Sequence, residues 1–139
     1  MKVMLDKGAF MPESAHKSDV GYDLRSPVRV TVPAKRSAKI DTGVHIQLSD
    51  LQGRYGGFLK SKSGLNVKHG ILSEGVIDPE YTGSIVVNLH NHSDVPYTVE
   101  VGDKITQLCI IPFLKPDLEL VDSLEETDRG ANGFGSTGR

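Results

Sequence analysis

Apolar side chains recur at every second position along much of this chain, and turn signals cut the alternation before it runs far. Val28, Val30 and Val32 alternate with Arg29 and Thr31. Ile46 and Leu48 alternate with His45 and Gln47, and Val95, Tyr97, Val99 and Val101 with Pro96, Thr98 and Glu100. A period of two sends successive side chains to opposite faces, which is the pattern of half-buried strands. Ser26-Pro27, Pro33-Ala34, Gly56-Gly57, Asp78-Pro79, Asn91-His92-Ser93-Asp94 and Val101-Gly102-Asp103 supply the turns. Two runs, Ser84 to Leu89 and Ile105 to Phe113, are nearly continuous in apolar residues, and such runs suit strands covered on both faces. In a domain this small, another subunit is a source of the second cover. One short helix is expected around Ser63 to Lys68. The pattern is all-β: a distorted jelly-roll or β-barrel-like single domain.

With 139 residues the chain suits one core. Its formal net charge is −2, so it has no bulk basic surface for a nucleic acid backbone, although a small anion needs only a few local donors. No apolar run is long enough to span a bilayer, and no stretch near the start reads as a signal peptide. Cys109 is the single cysteine; it has no intramolecular partner, which places the expectation in the cytoplasm. The stretch Asp128 to Arg139 stands apart, rich in glycine with Phe134 as its one large apolar residue. The chain therefore divides into a β domain over 1–128 and a flexible arm over 129–139.

Four further segments carry polar residues suited to chemistry. Asp23, in Asp19-Val-Gly-Tyr-Asp-Leu-Arg-Ser26, offers oxygen to a hard cation or caps a strand end. Lys62, Ser63 and Gly64 stand where a helix would begin, an anion-friendly position or an ordinary capped turn. Gly75-Val-Ile-Asp-Pro-Glu-Tyr-Thr-Gly83 brings Asp78 to the end of an apolar strand, where a carboxylate deprotonates or orients water or serves only as the polar residue of a turn. Tyr81 in the same segment offers a flat face to a sugar or base. Gln107 is a polar residue in an apolar strand, matched by a ligand or by the core itself. The arm reads as a disordered end or as a backbone cradle for oxyanions. The five histidines lack metal-ligand spacing with Cys109, and neither a phosphate-loop sequence nor a dinucleotide fingerprint occurs.

In order, these pieces resemble the five motifs of the trimeric dUTP pyrophosphatase (dUTPase) family. They are Gly21-Tyr-Asp-Leu-Arg-Ser26, Ser61-Lys-Ser-Gly-Leu65, Gly75 to Gly83, Gly102-Asp-Lys-Ile-Thr-Gln-Leu108 and Arg129-Gly-Ala-Asn-Gly-Phe-Gly-Ser-Thr-Gly138. The resemblance covers almost the whole chain. It implies a homotrimer with sites at subunit junctions, and Mg²⁺-assisted hydrolysis of dUTP to dUMP and pyrophosphate. That activity keeps uracil out of DNA and supplies dUMP for thymidylate synthesis. Asp78 is implied as the base that orients the attacking water, and Asp23 as the water-bridged tether of Mg²⁺. Lys62, Ser63, Gly64 and Gln107 are implied at the phosphates, and Tyr81 under the deoxyribose. Gly75 and Ile77 belong to the uracil-reading hairpin. Phe134 would stack on the base, with Arg129, Gly135, Ser136 and Thr137 closing on the phosphates. The chain departs from the family pattern at Lys62 and Lys104, where arginine is usual, at Asn132, where glycine is common, and in a short stretch Leu72-Ser73-Glu74. Two other readings stand beside this one. A dCTP deaminase-like enzyme needs a glutamate near the base, and Ser84-Ile-Val-Val-Asn-Leu89 carries no acid. A dUTPase-like regulatory protein would use nucleotide-dependent partner binding.

Overall fold

A computed structural model of the chain describes residues 1–48, 51 and 54–131. Among them are eleven strands: β1 (Lys2–Leu5), β2 (Gly21–Arg25), β3 (Val30–Val32), β4 (Ser37–Asp41), β5 (Val44–Gln47), β6 (Tyr55–Lys60), β7 (Ile71–Leu72), β8 (Glu74–Ile77), β9 (Val86–Asn91), β10 (Tyr97–Val99) and β11 (Lys104–Pro112). A single described helix, α1 (Ser63–His69), follows β6. The all-β, single-domain expectation holds.

The strands form a four-stranded sheet β2-β11-β6-β8, a three-stranded sheet β4-β9-β7, and the pairs β1-β5 and β3-β10. Every pairing is antiparallel. Leu24, Leu59, Ile77, Ile105 and Leu108 from the first sheet pack in one cluster with Ile40, Ile71, Val87 and Leu89 from the second. The inward face of each strand thus supplies one continuous core.

The two apolar runs behave differently from one another. β11 sits between β2 and β6 and buries Ile105, Thr106, Leu108 and Cys109. Adjacent buried residues break strict alternation because the register with β2 shifts between Lys104 and Thr106. A bulge of this kind re-aims the side chains beside it. The first run begins as a strand only at Val86, and β9 then alternates cleanly: Val87, Leu89 and Asn91 are buried while Val86 and His90 are exposed. Its outer face is uncovered within the protomer, so the same chain does not supply the second cover that its apolar composition calls for.

Four apolar residues of the alternating runs also fall outside their strands, Leu48 simply following the end of β5. Ser26 Oγ donates to the Val28 carbonyl at 2.6 Å, and the Val28 N–H donates back to it at 3.3 Å. This local turn keeps Val28 out of the ladder. The Val95 carbonyl accepts from Asn91 Nδ2 at 2.8 Å and from Ser93 Oγ at 2.9 Å, so Val95 closes a turn. Val101 precedes Gly102, whose φ of 88° ends the strand.

The helix appears where Ser63 and Gly64 predict it. Its C-terminal side is closed by Gly70 at φ 65°, and Lys68 and His69 lie in the last turn, where positive charge suits the dipole.

Candidate active site

The central sheet aligns three polar positions in one row. Asp23 on β2 pairs with Gln107 on β11, which pairs with Lys60 on β6. Lys104 begins β11 and Lys62 follows β6, so both lysines reach the same carboxylate. Lys62 Nζ lies 2.5 Å from Asp23 Oδ1, and Lys104 Nζ lies 2.7 Å from Oδ2. The Asp23 side chain is only 6% exposed. Burial disfavours its charged form, but hydrogen bonds from Lys104 and Lys62, reinforced by their charges, outweigh burial and hold the carboxyl below its usual value.

The same region is pinned by hydroxyls. The Ser73 N–H donates to Ser61 Oγ at 2.8 Å, and Ser61 Oγ donates to the Ser73 carbonyl at 3.0 Å. Ser73 Oγ and Thr106 Oγ1 are 2.8 Å apart, and Thr106 Oγ1 donates to the Lys60 carbonyl at 3.1 Å. With the Thr106 proton committed to Lys60, Ser73 is the donor of the pair. This network fixes the exit of β6, and with it Lys62, against β11. Sequence reasoning missed Ser73, Thr106 and the role of Lys104. The available signal was a hydroxyl within the apolar strand β11 and another between β7 and β8, each beside apolar residues and in need of a partner once buried.

A second group of residues lies at the other edge of the sheet. β8 ends at Ile77, which is buried, and Asp78 follows it exposed. The Tyr81 N–H donates to the Asp78 carbonyl at 3.0 Å and closes the turn through the backbone. That leaves the Asp78 carboxylate outside the turn's own bonding. Two shallow depressions meet at Asp78. One, of about 240 Å³, contains Phe58, Pro79 and Phe113 in its lining. The other, of about 220 Å³, contains Tyr81, Ser84 and Val86. Gly75 lies within β8, where an added Cβ would stand 3.1 Å from Leu59 Cδ1.

Tyr81 folds back so that its hydroxyl donates to the Ser84 carbonyl at 2.9 Å. The ring then lies against Gly83, where a Cβ would come within 2.5 Å of the hydroxyl and 2.6 Å of Cζ. Only glycine leaves room for that ring. If Tyr81 lies under the sugar, as the resemblance to the dUTPase family implies, Gly83→Ala is expected to displace it and raise the KM for nucleotide by about three- to tenfold with a smaller change in kcat, as loss of a ground-state contact does. Steady-state kinetics at saturating and limiting substrate check this.

Within one chain the two groups remain apart. β2 and β8 are the opposite edges of a four-stranded sheet, so ladder spacing alone separates Asp23 from β8 by on the order of 14 Å. The structure brings Asp23, Lys62 and Gln107 together, and separately Gly75, Ile77, Asp78 and Tyr81. Ser63 and Gly64 are exposed at the start of α1. Arg129 is exposed and has an interaction of its own. Phe134, Gly135, Ser136 and Thr137 lie outside the described residues. Among the described residues no cluster of three or more His, Cys, Asp or Glu side chains could hold a metal ion, and no helix is long and apolar enough to cross a membrane.

Comparison with known proteins bears on all of this. A sequence model of the dUTPase family matches residues 7–138. Deoxyuridine 5'-triphosphate nucleotidohydrolase of Solanum lycopersicum is 42% identical over 135 residues, covering 96% of this chain and 78% of that protein. The dUTPase of Staphylococcus bacteriophage 80alpha, solved with dUpNHpp, superposes with a TM-score of 0.90 at 32% identity, covering 99% of this chain and 98% of the other. A variant dUTPase of phage phi11 of S. aureus, described as revealing the coordination of a structural Mg(II) ion, superposes with a TM-score of 0.80 at 29% identity over 90% of this chain and 98% of the other. A family match over nearly the whole length, joined to a relative 42% identical across 96% of this chain, leaves one assignment: this chain belongs to the dUTPase family.

Proposed function

We propose that this protein hydrolyses dUTP to dUMP and pyrophosphate. The observation that carries the reading is the exposed Asp78 carboxylate at the end of β8, free of the turn's bonding and bordered by Tyr81, in a chain that matches the family from residue 7 to residue 138. Asp78 orients a water for in-line attack at the α-phosphorus, taking its proton as the P–O bond forms and pyrophosphate leaves. Such chemistry depends mainly on positioning and on neutralising phosphate charge.

Lys62, with Ser63 and Gly64 beside it and Gln107 across the sheet, contacts phosphate oxygens. Lys62 must then exchange the Asp23 carboxylate for phosphate. Lysine supplies the charge without the planar two-pronged geometry of arginine. Tyr81 packs beneath the deoxyribose, while Gly75 and Ile77 frame the uracil edge. Arg129, Phe134, Gly135, Ser136 and Thr137 close over the nucleotide from the arm.

The donor set fits Mg²⁺. Asp23 offers the carboxylate oxygen that Mg²⁺ takes beside water and phosphate, with Oδ1 open to a bridging water once Lys62 turns to phosphate. Asp23 would hold it through water. Bound Mg²⁺ supplies neutralisation of the triphosphate charge.

A homotrimer completes the site. Asp23 and Asp78 stand at opposite edges of their sheet, so one chain alone does not converge them. Beyond β11 the chain exposes Leu114 at 95%, Leu118 at 98% and Leu120 at 100%, and Val86 is uncovered on β9. Three leucines almost fully exposed between residues 114 and 120 call for a partner surface. The lone buried Cys109 and the absence of any disulfide requirement suit the reducing cytoplasm.

The test is pyrophosphate release from dUTP, dTTP, dCTP and UTP, with and without Mg²⁺. Release from dUTP at least about a hundredfold faster than from the others, and dependent on Mg²⁺, is expected. Deamination of dCTP, or no pyrophosphate from any of the four, overturns the reading.

A further inference from the structure

His45 lies on β5, opposite Met4 of β1, with its side chain only 17% exposed. Its Nδ1 is 2.9 Å from the Thr82 carbonyl oxygen and its Nε2 is 3.2 Å from Asp6 Oδ2. Both neighbours are acceptors and neither has a proton to give. A neutral imidazole has one N–H and one lone pair, so it satisfies only one of them and sets its lone pair against the other. The arrangement therefore requires the imidazolium, donating at both nitrogens.

The charged surroundings agree. Asp6 faces the ring from the loop after β1, and Asp41 acts on it from the end of β4. Lys2, from β1, lines the same depression and is engaged in an interaction of its own. The hydrogen bond to Thr82, then that to Asp6, keep the ring charged above its ordinary range.

Thr82 follows Tyr81 directly. Downstream, the loop rejoins the fold where the Ile85 N–H donates to the Val44 carbonyl at 2.8 Å. Between β8 and that point, among the described residues, side-chain hydrogen bonds tie the loop to other elements from His45 to Thr82 and from Ser84 to Asp41. The His45 tie reaches closest to Tyr81. With it in place the Tyr81 ring is held between Thr82 and its own bond to Ser84; without it, Tyr81 keeps the bond to Ser84, which Asp41 secures, and loses the tie next to its own backbone.

We propose that protonated His45 is a positioning residue for the substrate hairpin, holding Tyr81 through the Thr82 carbonyl so that nucleotide affinity weakens when the ring loses its proton. This rests on reading Tyr81 as a substrate contact. Sign follows from the geometry. The neutral ring keeps one N–H, which the Asp6 carboxylate takes as the stronger acceptor, so the Thr82 tie is complete at pH values below the folded-state pKa of His45 and is lost as pH rises through it, a window lying above the ordinary histidine value of about 6.5.

The experiment uses the full chain with Mg²⁺ and the non-hydrolysable dUpNHpp as probe. Kd is measured for the wild-type protein, His45→Gln and Asp6→Asn across about pH 6 to about pH 9, and read as the ratio of variant to wild type, which cancels ionisation of the nucleotide itself. The expected His45→Gln ratio is about three- to tenfold at the low end, the worth of one charge-assisted hydrogen bond, falling toward one at the high end. His45→Lys, which keeps a permanent cation, should bind more tightly than His45→Gln at the high end and retain a nearly constant Kd relative to it. Asp6→Asn should move the wild-type midpoint to lower pH. Amide exchange of Thr82 and Gly83 in the nucleotide-free protein, compared between variants at one pH, reports the tie independently of Tyr81's role. Faster exchange in His45→Gln with a Kd ratio of one throughout shows that the tie exists but that the hairpin is not used for nucleotide, and it overturns the positioning role together with the reading of Tyr81. Unchanged exchange overturns the tie itself, and a ratio that stays above one without falling as pH rises overturns its dependence on the proton; either result leaves the proposed activity standing.

Discussion

Asp78→Asn is expected to lower kcat on dUTP by on the order of 10³-fold while KM stays within about threefold, the signature of losing a group that acts on the reacting water. The substitution is nearly isosteric. It exchanges a carboxylate, which accepts a proton, for an amide, which does not. Nothing in the local fold depends on the carboxylate: the turn closes from the Tyr81 N–H to the Asp78 carbonyl, a bond made by the main chain. Ile77 anchors the preceding strand in the core whatever follows it. Stability is therefore expected to change by no more than about 0.5 kcal/mol. Stopped-assay kinetics with urea unfolding on the same preparations separate the two effects. A variant that retains wild-type kcat removes Asp78 from the role of base. A variant that loses activity only in proportion to lost folded protein makes its role structural.

The architecture was more legible in the sequence than the site was. Alternating valines and isoleucines specify which face of a strand enters the core, so β5, β10 and β11 fall close to where alternation or apolar length places them. Errors arise where a side chain competes with the ladder. Ser26 and Ser93 bond to backbone two residues away, and those local bonds drew Val28 and Val95 into turns. Composition said less at β9, because an apolar run does not reveal whether its second face is covered by the same chain or by another.

In the site, the motifs located individual residues, but distance across a sheet depends on strand order. Nothing in the spacing of Asp23 and Asp78 along the chain states that β2 and β8 become opposite edges. The link between Asp23 and Lys104 was hidden for a similar reason. It arises from antiparallel register between strands some 80 residues apart in the chain, about which local pattern carries no information. His45 was visible only as the polar partner of an alternating pair, and its double-acceptor environment comes from two loops distant in sequence.

Lys104→Met is expected to destabilise the protein by about 1–2 kcal/mol at neutral pH, and the loss is expected to shrink in acid. The Asp23 carboxylate is nearly excluded from solvent and each of its oxygens has one ammonium. Removing one partner of a buried ion pair leaves charge that neither water nor protein compensates, and fully buried pairs lose about 3–5 kcal/mol in this way. Lys104 is 34% exposed and Lys62 23%, so water screens part of the interaction and the smaller figure applies. Methionine keeps much of the aliphatic stem, which confines the change to the charge. For the sign with pH, burial raises Asp23 while Lys104 and Lys62 lower it, and the lysines win. A carboxyl held below its unfolded value of about 3.9 contributes stability that is present above that value and lost as pH falls through the folded-state pKa. Without Lys104, burial is opposed by Lys62 alone, the folded-state pKa climbs, and the loss of stability begins at a higher pH. The two proteins therefore differ most near neutrality and converge once Asp23 is protonated in both. Urea midpoints at one fixed protein concentration, since assembly contributes to stability, measured between about pH 3 and about pH 7, check the difference curve. A cost that stays constant across that range means that Lys104 acts through packing and that its charge is not what Asp23 requires.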